Sequence, residues 1–64
     1  MTVGQKVELA RSAIYQALYQ LEAVHDIVDG DLYVSRETVR DVEAIVVLTS
    51  VIARSIEGVR NAIN

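Results

Sequence analysis

Glu22 and His25, three residues apart, and Glu43 further along are the residues here whose types and spacing come nearest to a chemical site. A Glu-x-x-His pair sets a carboxylate and an imidazole one turn apart on a helix. With a Glu from a second helix it forms the ligand set from which di-metal carboxylate sites inside helical bundles are built. Such ligands must project into the bundle core, yet Leu21, Val24 and Val28 hold the core positions around them. That places Glu22 on the outer face and His25 beside the seam. The expectation is a half-exposed histidine among solvated carboxylates, with no metal and no cofactor. General acid–base catalysis needs carboxylates in a concave, partly dry site, and a two-layer helical structure offers little concavity. Ser12, Ser35, Ser50 and Ser55 show no arrangement that converges on the one histidine, and no glycine-rich phosphate loop is present. There is no cysteine, which excludes disulfides and thiolate metal sites. No catalytic residue is assigned, and the chain is read as a non-enzyme.

Two resemblances bear on function, one carried by a pair of residues and the other by length and topology alone. His25-Asp26 resembles the phospho-accepting histidine of sensor kinases, which also use a dimeric helical hairpin. In that family the helix runs well past the histidine, whereas here it is expected to stop at Gly30, one turn later. The second concerns Lys6, Arg11, Arg36, Arg40, Arg54 and Arg60, the six basic residues. A hairpin dimer of this size resembles, in length and topology, the Rop family of plasmid copy-control proteins, and that likeness implies binding to paired RNA loops. Arg36, Arg40 and Arg54 can share a face, but Glu43 and Glu57 interleave with them, the pattern of solvated pairs. Phosphate binding needs a denser positive footprint. The net charge of −3 and pI of about 4.8 also point away from nucleic acid and anionic membrane.

The remaining candidate is a surface for protein. Glu8, Ser12, Tyr15, Tyr19, Glu22, Asp26 and Asp29 recur on one stripe of the first half. Tyr15 and Tyr19 lie one turn apart and are expected to point outward together. Tyrosine offers a large apolar body with a polar tip and is enriched at interfaces. The acidic rim favours a basic partner. Tyr15, Tyr19, Glu22 and Asp26 are therefore the expected partner-binding residues; the competing role for the tyrosines is to cover the bundle edge or shield Leu18.

These side chains need elements to hold them. Val3, Val7, Ala10, Ile14, Ala17, Leu21, Val24 and Val28 recur at alternating spacings of four and three, a heptad seam. One row is Val7, Ile14, Leu21, Val28; the other is Val3, Ala10, Ala17, Val24. Thr2 and Gln5 have capping-box spacing, and Asp29-Gly30 supplies the stop. Ser35 is the expected cap of a second helix, with Val34 and Val39 spaced as a hydrophobic staple. In the second half Val42, Ile45, Thr49, Ile52, Ile56, Val59 and Ile63 form one seam, expected to pack on the first helix. Ala44, Leu48, Val51, Ser55, Gly58 and Ala62 form another. Arg36, Arg40, Glu43, Val47, Ser50, Arg54, Glu57 and Asn61 make up the face expected to meet water. The β-branched pairs of this half favour strand locally, but their three-four spacing does not alternate as a strand would.

Sixty-four residues make one domain at most, a size at which a single core is marginal without disulfides, metal or oligomerisation. With 52% hydrophobic and 23% charged residues the chain reads as globular. The longest apolar-rich stretch, Ala44 to Ala53, is about half of what a membrane span requires. The N-terminus has no basic segment followed by an apolar run, so no signal peptide is read; the expected location is cytoplasmic. The expectation is an all-α antiparallel hairpin over 1–64, with helices near 2–29 and 35–63. The seam of Ala44, Leu48, Val51, Ser55, Gly58 and Ala62 is expected to dimerise it into a four-helix bundle. The expected function is protein–protein interaction by a small homodimeric regulator or inhibitor, of the kind common in phage and mobile elements. An RNA-binding hairpin and a purely structural scaffold bundle are the alternatives.

Overall fold

The computed structural model describes residues 1–63, and it is an antiparallel pair of helices, α1 (Val3–Val28) and α2 (Arg36–Ile63). The helix ends lie where local chemistry puts them. The Thr2 side chain accepts from the Gln5 backbone N–H at 3.1 Å, and the Gln5 side chain accepts from the Thr2 N–H at 2.8 Å. These reciprocal bonds satisfy two of the donors that a helix start leaves free. At the other end Asp29 donates its backbone N–H to the His25 carbonyl at 2.8 Å, and Gly30 follows at φ +85°. That is the left-handed conformation glycine reaches without a Cβ penalty.

The connection then turns on short bonds: Asp31 N–H to the Val28 carbonyl at 3.2 Å, Val34 N–H to the Asp31 carbonyl at 3.3 Å, and Tyr33 N–H to the Asp31 carboxylate at 2.8 Å. Leu32 and Tyr33 stand almost wholly in solvent. The Ser35 hydroxyl accepts from the Thr38 N–H at 3.1 Å and opens α2. Half-buried Val34 and buried Val39 flank it, at the spacing of the staple.

The two helices meet along a narrow seam. From α1 it takes Val7, Arg11, Ile14, Leu18, Leu21, His25 and Val28, all half-buried. From α2 it takes Val39, Val42, Val46, Thr49, Ser50, Ala53, Ile56, Glu57 and Arg60, of which only Val39 and Ala53, at 1% and 2% exposure, are buried. The α1 row Val7, Ile14, Leu21, Val28 is the half-buried one, as its spacing predicts. The companion row Val3, Ala10, Ala17, Val24 is exposed.

On α2 the expected packing needs correction. Val42, Thr49 and Ile56 of the predicted inner seam are half-buried, but Ile45, Ile52, Val59 and Ile63 are exposed, and their place against α1 is taken by Val39, Val46, Ala53 and Arg60. That row recurs every seven residues, but it contains an alanine and an arginine and so escaped a search for bulky apolar repeats. Ala53 lets α1 approach, and Arg60 lays its stem along the seam and brings its guanidinium to Glu8 and Glu57. Glu57 and Ser50, assigned to the water-facing stripe, are half-buried for the same reason: α2 is turned from the predicted face by roughly three-quarters of the angle that separates successive helical residues.

Candidate functional site

All ion pairs between the helices lie along one edge of the hairpin. Near the open end Arg60 Nε stands 2.6 Å from a Glu8 carboxylate oxygen, and its Nη1 stands 3.5 Å from Glu57. The approach to Glu8 lacks hydrogen-bond direction, so the Arg60 Nε–H is shielded from water without an acceptor. The Arg11 guanidinium donates to Glu57 and lies over the Tyr15 ring, 5.0 Å from its centre, a cation–π placement. The hydrogen bond from Arg11 holds the Glu57 carboxyl below its ordinary range, against partial burial, which acts to raise it. The same bond raises the Arg11 guanidinium. Towards the connection His25 Nε2 lies 3.1 Å from Glu43, its Nδ1 lies 3.9 Å from Asp26, and Arg36 reaches Asp29 at 3.5 Å.

Three of these contacts fix the register. Residue 8 stands opposite 60, 11 opposite 57, and 25 opposite 43. Glu43 therefore meets His25 itself, one turn from Glu22. Glu22, His25, Asp26 and Glu43 share an open depression with Val46 and Val47, yet among the described residues no three His, Cys, Asp or Glu side chains converge as metal ligands do.

The two tyrosines part company. Tyr15 is 39% exposed and is tied to Arg11, whereas Tyr19 is 77% exposed. With Ser12, Gln16 and Gln20 they line a shallow depression on the outer side of α1. Glu22 and Asp26 lie outside it, in the depression beside His25, so the expected partner-binding set spans two neighbouring hollows. Of the basic residues, Arg11, Arg36 and Arg60 are engaged by carboxylates, while Arg40 and Arg54 make no ion pair among the described residues.

The rest of α2 is apolar and uncovered. A helix turns about 100° per residue, which places Ile45, Ile52 and Val59 on the edge opposite the ion pairs, beside the exposed α1 row of Val3, Ala10, Ala17 and Val24. Ala44, Leu48, Val51, Ser55, Gly58 and Ala62, the expected dimer residues, are all exposed on the side of α2 turned away from α1. The heptad spacing placed Thr49 in the inner seam, Ser55 in the second seam and Ser50 on the water-facing stripe. Each hydroxyl donates to a carbonyl of its own helix: Thr49 to Ile45 at 2.7 Å, Ser50 to Val47 at 2.7 Å, Ser55 to Val51 at 3.1 Å. The apolar surface is thus continuous. A β-branched or small hydroxyl residue within a helical apolar run is the signal that would have shown it, because back-bonding is what it does there. Among the described residues no helix is long and apolar enough to cross a membrane. No protein-family model matches the chain, and neither a curated protein nor a solved structure matches it.

Proposed function

We propose that the chain is a non-enzymatic protein–protein interaction module, a small homodimeric regulator or inhibitor whose first partner is a second copy of itself. The observation that carries this reading is the balance of the apolar surface. Among the described residues two hydrophobic side chains are buried, while sixteen large hydrophobic residues remain exposed. Scattered surface apolar residues are ordinary, but a contiguous exposed face of this extent marks an interaction site. A second hairpin supplies the missing layer and yields a four-helix bundle. The tyrosine depression on α1, with Glu22 and Asp26 in the neighbouring hollow, then serves a further, basic protein partner.

Sedimentation equilibrium over about a hundredfold range of concentration, sized to bracket a micromolar dissociation constant, tests the dimer. The expected result is twice the chain mass throughout; a single-chain mass at every concentration sinks the proposal. On the tyrosine face, Tyr19→Ala is expected to abolish binding of a basic protein partner while leaving stability within about 0.5 kcal/mol, as for an isolated surface change.

A further inference from the structure

We infer that the second copy covers the edge opposite the ion pairs, that the outer stripe of Leu48 and Val51 stays outside, and that the two connections lie at the same end of the dimer. This rests on the homodimer reading above and adds the face and the symmetry axis.

Charge selects the face. The hairpin has two edges. One carries Glu8, Arg11, His25, Glu43, Glu57 and Arg60, already paired across the helices. The other is built from Ala10, Ala17 and Val24 on α1 and Ile45, Ile52 and Val59 on α2, all exposed and none charged. Those α1 residues are half of a heptad seam whose other half already packs on α2. Both rows of such a seam are core in a bundle, so the exposed row marks the side from which further helices come. The outer stripe of α2 has no α1 residues beside it and offers one helix width only.

Shape selects the occupant. In the register set by the ion pairs, Ala10, Ala17 and Val24 stand within one residue of the levels of Val59, Ile52 and Ile45. The face therefore carries a row of mostly small residues alongside a row of large ones. A second copy turned about an axis parallel to the helices sets each small row against the other copy's large row, level by level. Interiors pack densely only when large and small alternate in this way. The other in-plane axis would set alanine on alanine and isoleucine on isoleucine, closing one side and splaying the other. The face is self-complementary in the first arrangement, which an unrelated protein has no reason to match. Its size also fits: Cα extents of 47 by 16 Å give about 750 Å², near the roughly 800 Å² per partner of a standard interface. An axis parallel to the helices also makes every neighbouring pair in the bundle antiparallel.

The test uses the full chain, which has no native cysteine. Leu32→Cys in the exposed connection carries a nitroxide, and pulsed electron resonance reads the distance between the two labels. The expected separation is that of the bundle's width; one near its 47 Å length overturns the axis. In sedimentation, Ala17→Glu is expected to give a single-chain mass at concentrations where the parent is dimeric, and Leu48→Glu to leave the dimer intact. The reverse pattern, dissociation by Leu48→Glu alone, overturns the face while leaving the homodimer standing. A parent chain that is itself monomeric removes the homodimer and this inference together. The label distance is read in a chain with its seam untouched, so even if Ala17→Glu unfolds it decides the axis, and Leu48→Glu decides the face.

Discussion

Glu57 ties the two helices together near the open end. It receives the Arg11 guanidinium from α1, faces Arg60 from its own helix, and through Arg11 is linked to the Tyr15 ring. Its carboxyl is held below the ordinary glutamate value of 4.5, chiefly by the Arg11 hydrogen bond. The sign of the linkage follows. The stability this interaction gives is fully present above the unfolded-state value, and it is lost as pH falls from there through the lowered folded-state value. Thermal midpoints measured between about pH 7 and pH 3, across the carboxylate range, are expected to fall on the acid side. Glu57→Gln is expected to lower the midpoint at neutral pH and to flatten that acid limb. An unchanged acid limb in the variant would show that other carboxylates carry it. Nothing in the residue types alone announced this cluster, because Glu57 belongs by its spacing to the water-facing stripe and Arg60 to neither apolar seam.

At the scale of the elements, the helices and their boundaries were legible because their signals are local. Thr2 with Gln5, Asp29-Gly30 and Ser35 with Val34 and Val39 each act within four residues, and each is found at the predicted place. The rotation of α2 was not legible. Its apolar arc is so wide that several faces satisfied the same spacing, and the choice fell to Ala53 and Arg60, whose fit depends on what α1 presents. The row of α1 nearest α2 was readable because there the apolar residues form only two rows. Gly30 gives the sharpest test of the local signals. A Cβ there meets nothing within 4 Å, so any penalty is conformational and not steric. Gly30→Ala is expected to cost about 1–2 kcal/mol, the strain of a left-handed residue bearing a Cβ, and Gly30→Asn less, measured by chemical denaturation. A neutral alanine variant would mean the turn tolerates another backbone path.

The whole molecule is one long contact between two rods joined at a single end, and that arrangement has a consequence in time. The ion pairs span 7 residues at the connection, 18 at His25–Glu43 and 46 at Arg11–Glu57. Closing the widest of these loops from an open chain costs about 1.7 kcal/mol more entropy than closing the narrowest. Once Gly30 has turned the chain and Val34 and Val39 have met, each further pair closes only a short additional loop. The hairpin should therefore zip from its bend towards its open end, in the manner of low-contact-order folds. Amide exchange is the check: protection in α1 should rise from Lys6 towards His25, and a flat profile would mean that the two helices dock all at once. The open end, where Thr2 caps α1 and Arg60 crosses to Glu8, is then the last part to form and the first to fray.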